Sequence, residues 1–371
     1  MSRTERIDAF QQRHPSVGVP LATVYKFQDD QGIYLSALIA YYGFLSLFPL
    51  LLLLTSILGF ALQGNPEFEH RILDSTLRQF PVIGDQLTDP HGLRGNGVAL
   101  VVSVLVAVYG ALGVAHAIQN AMNVIWAVPR CHRPNPLRLR LRSVLLIALA
   151  GLATILATVL SGLASSATAF GADLSRAGAL SIVLAAVVVN SGVFVVGFWI
   201  CVTRDRSFRS LLPGALTAAV LWQILQHFGA SYVTQVLDTT RNNQINATFG
   251  LVLGIMVLLY VGSIMGVLGI EVNVVLAKHL WPRALMTPFT DNVDLTEADR
   301  KAYAMYAQSQ RHKGFQTVAV RFDGRDGDSH EIVLDPRTEE IIKQRIPAAP
   351  PLPGEDEDEA TEPIRQPRKP G

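Results

Sequence analysis

The sequence predicts an all-α integral membrane protein, a bundle of six transmembrane helices with a small cytoplasmic C-terminal extension. Two observations support this prediction. Half of the 371 residues are hydrophobic and only 16% are charged, whereas about a quarter of the residues of a soluble domain are charged. The charged residues also collect in short stretches and near the C-terminus, and long apolar runs separate them.

Six apolar runs are long enough to cross a bilayer, whose core needs roughly 20 residues of helix. Within lipid each run must be helical, because every backbone amide needs an internal hydrogen-bond partner. The six runs lie at about 33–62, 97–124, 141–164, 180–202, 211–235 and 249–277.

Arginine and lysine are unevenly distributed between alternate loops. They are frequent in the N-terminal arm and in the second and fourth loops, and they are scarcer in the loops between. The positive-inside rule therefore predicts a multi-pass protein of the plasma (inner) membrane with both termini in the cytoplasm.

The remaining segments complete a division of the chain into four parts. We predict a cytoplasmic amphipathic arm at residues 1–32, the transmembrane domain at 33–280, a small cytoplasmic helix plus hairpin at 281–346, and a disordered Pro-rich acidic tail at 347–371.

Shorter motifs predict local structure within these parts. In the outer loop 63–95, apolar side chains at helical spacing predict a short interfacial helix. Thr296 and Asp299 predict a capped helix, and TVAVRF and EIVLD predict the hairpin.

Polar and small residues form stripes along the apolar helices. Tyr42, Ser46 and Pro49 share one face of the first helix, as do His116, Asn120 and Asn123 in the second. Small-residue stripes commonly serve helix packing, which we expect for the third run and for the glycines of the sixth. The polarity at the end of the second run exceeds what packing requires.

Glu271 is the one carboxylate in a predicted span. Ionisable residues inside a membrane usually mark functional sites. The sixth run is longer than the bilayer core, so an interfacial ion pair, for example with the arginines of the second loop, is an equal alternative. Asn273 lies on nearly the opposite face of this helix.

Several site types lack sequence support. The nine histidines include no H-x-H and no H-E-x-x-H, and no phosphate-binding loop or nucleophile elbow is present. We therefore expect no metal, no cofactor, no nucleic acid and no enzymatic activity. The basic run Arg138, Arg140 and Arg142 is expected to contact anionic lipid headgroups.

Four segments together resemble a known family. They contain Ala40-Tyr41-Tyr42 with Ser46-Leu47-Phe48-Pro49, Asn123-Val124-Ile125-Trp126, and Gly269-Ile270-Glu271-Val272-Asn273. Residues from about 30 to 277 resemble the YihY/virulence factor BrkB membrane proteins, some of which carry the name ribonuclease BN. The family usually has Gly-Ala-Glu where this chain has Gly-Ile-Glu. The resemblance implies an inner-membrane protein of six helices.

The sequence favours a transporter or flippase with a polar cavity on the cytoplasmic side, for an unknown solute or lipid. A mobile, kinked helix around such a cavity suits alternating access, and Pro49 is the expected kink. The alternative is a non-transporting scaffold or envelope-integrity protein whose stripes only pack helices. A membrane enzyme ranks third, because a lone carboxylate provides no acid–base pair. The cavity candidates are Tyr41, Tyr42, Asn120, Asn123, Glu271 and Asn273.

Overall fold

The structure is a computed structural model, and it describes residues 3–61, 97–169, 176–203, 207–239, 244–285, 287, 293–323, 328–334 and 341–347. Within these ranges the chain forms nine α-helices and one three-stranded sheet. The helices are α1 Arg3–Arg13, α2 Pro15–Asp29, α3 Gly32–Ala61, α4 Gly97–Ile125, α5 Pro136–Ala169, α6 Arg176–Cys201, α7 Phe208–Thr239, α8 Gln244–Lys278 and α9 Glu297–Ser309.

The six long helices, α3 to α8, coincide with the six apolar runs of the sequence. Each has 26 to 35 residues. Three stretches within the described residues are long and apolar enough to cross a membrane: Val183–Cys201, Phe208–Gln226 and Val252–Lys278. The chain is therefore mostly helical and suited to a membrane. Exposed leucine, valine and phenylalanine side chains on these helices are what lipid contact requires.

Small residues bring the long helices together. The closest helix pairs are α3 with α4 and α7 with α8. A Cβ on Gly113 of α4 would lie 2.3 Å from the Tyr42 ring, and one on Gly214 of α7 would lie 1.9 Å from the Gly269 carbonyl of α8. Glycine permits this approach, so Gly269 of the sixth run packs helices as expected, whereas a Cβ on Gly151 of the third run or Gly266 of the sixth would have no atom within 4 Å.

The main hydrophobic core lies at the end of the bundle where α4, α6 and α8 finish. Trp126, Phe198 and Ile270 are buried there together with Met305 of α9. The helix that follows the transmembrane domain is thus part of the same core. The turn from Leu280 to Arg283 leads the chain from α8 back onto this surface and contains the cis bond Trp281–Pro282.

The C-terminal segment confirms the predicted helix and hairpin and adds one strand. The Thr296 side chain accepts from the Asp299 amide, and Asp299 accepts in return, which is a full capping box. Strand β1 (Val318–Asp323) pairs antiparallel with β2 (Asp328–Leu334), with Val320 opposite Ile332. A third strand that we did not predict, β3 (Ile341–Pro347), pairs antiparallel with β2.

Two predicted features are outside the described residues. These are the interfacial helix of 63–95 and the disordered tail, of which only Pro347 is described, at the end of β3. The N-terminal arm is described, and α1 and α2 expose Ile7, Phe10 and Val24 while they bury polar side chains. This arrangement places the apolar face of the arm outward, as an interfacial helix requires.

Candidate functional site

The polar face of α2 lies against α8 and brings three charged side chains together. Lys26 Nζ lies 3.7 Å from Glu271 Oε2 and also contacts Asp30 Oδ2. Their side chains are 1%, 0% and 1% exposed, respectively. Lys26 and Asp30 are four residues apart, the spacing of neighbours on one helical face. The positive φ of Gln31 then turns the chain into α3. We call Lys26, Asp30 and Glu271 the buried triad.

The buried triad has two carboxylates for one ammonium. Burial alone would lower the pKa of Lys26, but the charges of Glu271 and Asp30 outweigh it and raise that pKa. Burial raises the pKa of Asp30, although Lys26 opposes the change. Neither Glu271 oxygen has a hydrogen bond among the described residues. The triad is therefore one positive charge short of neutrality when all three groups are ionised.

An aromatic residue of α9 covers the triad. The ring centroid of Tyr306 lies 5.2 Å from Lys26 Nζ, within the range of a cation–π contact. Burial, and next the charge of Asp30, raise the pKa of the Tyr306 hydroxyl well above its ordinary range, so it stays neutral. Helix α9 thus covers Lys26 of the triad on one side.

A second buried charge network joins the arm to α9. Arg283 donates from Nε to Asp299 Oδ1 at 2.6 Å and from Nη1 to Asp29 Oδ2 at 2.7 Å. Gln11 donates to the Arg283 carbonyl at 2.6 Å, and Tyr25 donates to the Leu285 carbonyl. Burial alone would lower the pKa of Arg283, but the hydrogen bond to Asp299 and the charge of Asp29 raise it. The network joins the arm to the linker after α8, although Gln11 Oε1 has no hydrogen-bond partner among the described residues.

The candidates predicted from the sequence fall into separate environments. Asn273 accepts from the Gly214 amide at 2.7 Å, so it faces α7 while Glu271 faces α2. Asn123 is buried and accepts from the Thr203 hydroxyl at 2.5 Å. These two asparagines join helices or helix ends, which is a packing role.

The other predicted residues lie nearer the surface of the bundle. Tyr42 packs on Gly113, and Asn120 is half-buried. Tyr41 is 55% exposed. Helix α3 continues through Pro49, whose side chain is outside the described part of the chain, so the predicted kink stays a prediction.

A cleft of about 290 Å³ opens between the ends of α4, α6 and α8 and the helix α9. Polar and cationic groups share its walls with aromatic and aliphatic ones, and the six predicted candidates are not among its lining residues. The lining consists of Trp126, Ala127, Val128, Pro129, His132, Val202, Thr203, Lys278, Met305 and Gln308. Asn123 adjoins the cleft through its bond to Thr203.

Lys26 and Asp30 were not predicted as site residues. Lys26 counted only among the basic residues of the N-terminal arm, although a lysine followed by an aspartate four residues later in LATVYKFQDD was a usable signal. The expected partners of Glu271 were also wrong among the described residues. Glu271 pairs with Lys26 because α2 folds back onto α8, whereas Arg138 and Arg140 are exposed and Arg142 donates to the Cys201 carbonyl at 3.5 Å.

A family model described as Virulence factor BrkB matches residues 23–288. The chain belongs to the BrkB family. This match confirms the resemblance and extends it at both ends, so that it includes Lys26 and Arg283 as well as Glu271. No curated protein and no solved structure matches the chain. Family membership and the apolar helices together identify a membrane-embedded protein.

Among the described residues, no cluster of His, Cys, Asp and Glu could hold a metal ion.

Proposed function

We propose that this BrkB-family protein is a plasma-membrane transporter or flippase with six crossing helices and both termini in the cytoplasm. Its substrate path opens at the inner end of the bundle, where the cleft and the buried triad lie. The observation that carries the proposal is the triad itself. Three charged side chains, each at most 1% exposed, adjoin a helix long and apolar enough to cross a membrane. Buried charges are costly to retain for stability alone.

The charge balance of the triad gives it a chemical role. With Lys26, Asp30 and Glu271 all ionised, the net charge is one negative unit, which a single proton neutralises. Lys26 lies closer to Asp30 than to Glu271, whose Oε2 is 3.7 Å from Nζ, so Glu271 is the group with acceptor capacity to spare. Glu271 is then a proton carrier, and Lys26 sets the affinity of the site for that proton. Proton relays of membrane transporters use such intramembrane carboxylates.

The cleft supplies access from the cytoplasm. Its volume of about 290 Å³ approaches the lower end of ordinary small-ligand pockets. Thr203, His132 and Gln308 offer hydrogen-bonding groups, and Lys278 contributes a positive charge. In this proposal the path continues past Asn123 toward Asn120, so the bond between Asn123 and Thr203 must open during transport.

The scaffold remains the second candidate, because specific contacts favour it. Asn273 bonds to α7, and Gln119 donates to the Ser143 hydroxyl of α5 at 2.9 Å. These bonds serve packing, and in a scaffold the triad would only fasten the arm to α8. We propose no catalytic activity. In either case we propose that Arg138 and Arg140, both exposed, contact anionic headgroups.

Cysteine accessibility separates the two candidates. In a full-length protein with Cys131→Ser and Cys201→Ala, single cysteines replace Thr203 at the cleft, Asn123 beneath it and Asn120 one turn deeper. Inside-out vesicles are treated with a membrane-impermeant maleimide. A transporter is expected to react at all three positions, whereas a scaffold reacts at position 203 alone.

Two further positions control this experiment. A cysteine at Ala121, which is 0% exposed, must stay unlabelled in a folded protein. A cysteine at Lys313, which is exposed on the C-terminal segment, must label in inside-out vesicles and stay protected in intact cells. Labelling at Lys313 in intact cells would refute the proposed orientation. If the cysteine at position 203 is labelled but those at positions 120 and 123 are not, the transporter is refuted.

A further inference from the structure

Among the described residues, the guanidinium group of Arg311 is buried without a hydrogen-bond partner. Arg311, just beyond the end of α9, is 1% exposed. Its Nε, Nη1 and Nη2 atoms are all buried, and none has a hydrogen bond within the described part of the chain. A buried ion without partners costs several kcal/mol, and a guanidinium carries five donors in a planar fork. Such an arrangement is typical of a site that an anion completes.

Two more arginines approach from the loop between α4 and α5. The Cys131 amide donates to the Arg311 carbonyl at 3.3 Å, and Arg130 Nη2 donates to Gln310 Oε1 at 3.2 Å. These bonds fix the 3-10 turn Arg130–His132 against the end of α9. Two residues beyond Cys131, the Nε of Arg133 is also buried without a partner among the described residues. The loop that carries these two arginines therefore lies against Gln310 and Arg311.

The charges in this region share one sign. Burial, and next the positive charge of Arg130, lower the pKa of Arg133. Arg130, Arg133 and Arg311 have no ion pair with a carboxylate of the described residues. By contrast, Arg283, equally buried, has two such partners, Asp29 and Asp299. Within the described part of the chain, one buried arginine thus has two carboxylate partners and the other has none.

We propose that Arg311, assisted by Arg133 and Arg130, binds a phosphate group beside the cleft. Guanidinium groups match tetrahedral oxyanions because two parallel N–H donors can bind two oxygens. The Arg311 amide bonds to the Gln308 carbonyl at 3.0 Å, and Gln308 and His132 line the cleft. The phosphate belongs either to a lipid headgroup or to a free phosphate ion. This site does not depend on transport, and it is separate from the exposed Arg138 and Arg140.

Thermal unfolding of the full-length protein tests the site. In detergent, inorganic phosphate replaces chloride at constant ionic strength. In nanodiscs, phosphatidylglycerol with phosphatidylcholine is compared with phosphatidylcholine alone. Anion binding to the native state raises the unfolding midpoint. The variants are Arg311→Gln, Arg311→Lys and, as a matched control in the exposed basic run, Arg138→Gln.

We expect phosphate or phosphatidylglycerol to raise the midpoint of the unaltered protein. Arg311→Gln should weaken that dependence at least about tenfold in concentration, because bonds to charged groups are the strong ones. Arg311→Lys should keep part of the anion dependence of the midpoint, and Arg138→Gln should keep all of it. A response to phosphatidylglycerol alone identifies a lipid headgroup, and a response to inorganic phosphate identifies a free ion.

The proposal is wrong if neither anion stabilises the protein, or if Arg311→Gln responds as strongly as the unaltered protein. Arg133→Gln provides a second variant, because Arg133 is only half-buried and its loss is easier for the fold to tolerate. If Arg311→Gln fails to fold, the same comparison is read from Arg133→Gln, whose unchanged response would overturn the site.

Discussion

Replacing Lys26 with methionine tests the buried triad most directly. Methionine keeps the length and apolar character of the lysine side chain and removes only the ammonium. Asp30 and Glu271, at 1% and 0% exposure, then have no other ion-pair partner among the described residues. Removing one partner of a buried ion pair costs about 3–5 kcal/mol, because the remaining charge is left uncompensated.

The cost of Lys26→Met should depend on pH. In the native protein the pKa of Asp30 is raised above its ordinary value of 3.8, so between that value and its native pKa the folded state binds more protons than the unfolded state. Stability therefore falls as pH rises through this window. Without the ammonium the pKa of Asp30 rises further and the window extends upward. The deficit of the variant should be smaller at pH 5 than at pH 8.

The assay is a double-mutant cycle on apparent unfolding midpoints in detergent. It compares the unaltered protein, Lys26→Met, Glu271→Gln and the double variant at both pH values. The double variant should be more stable than Lys26→Met at pH 8, because an amide carries no charge. Lys313→Met, at an exposed position, is the matched control and should change the midpoint little.

Two results would refute this account of the triad. One is a Lys26→Met protein as stable as the unaltered protein at pH 8. The other is a double variant no more stable than the single one, because the energy would then not arise from the uncompensated carboxylates.

Other substitutions test the helix contacts and the second charge network, and all are measured by the same unfolding midpoint. Gly214→Ala should destabilise by about 1–3 kcal/mol, because its Cβ would lie 1.9 Å from a backbone carbonyl of α8. Gly151→Ala, whose Cβ would have no atom within 4 Å, should instead stabilise the protein by about 0.5–1 kcal/mol. If both glycine substitutions shift the unfolding midpoint in the same direction, the described helix packing is contradicted. Asp299→Ala should cost about 3–5 kcal/mol, because it leaves Arg283 short of a partner and removes the reciprocal bond of the capping box. Asp294 is exposed, so Asp294→Ala should change the free energy of unfolding by no more than about 0.5 kcal/mol. Equal losses of stability in the two aspartate variants would refute the network.

The long helices could be predicted because their cause is local. Each needs only an apolar run of sufficient length, and six helices of the structure match the six runs. The cap of α9 is equally local, since Thr296 and Asp299 are three residues apart. The third strand was missed because IIKQRIP has little alternation of its own, and its pairing with β2 supplies what the sequence lacks.

The candidate site was harder to predict because its residues are far apart in the chain. Glu271 was identified from its rarity within an apolar run, but its partner Lys26 lies on a helix that precedes the transmembrane domain. The cleft likewise combines His132, Thr203 and Gln308 from three separate segments. No spacing rule connects such positions.

The sequence by itself determined the mostly helical membrane class, the helical runs, the family resemblance and the rarity of Glu271 within an apolar run, because hydropathy and short motifs act within one helix or turn. Only the tertiary structure decided which charges meet. It brought Lys26 and Asp30 to Glu271, paired Arg283 with Asp29 and Asp299, and left Arg311 without a partner among the described residues. The energy of a buried charge depends on its neighbours in space. Those neighbours are set by how α2 and α9 fold back onto the end of the bundle.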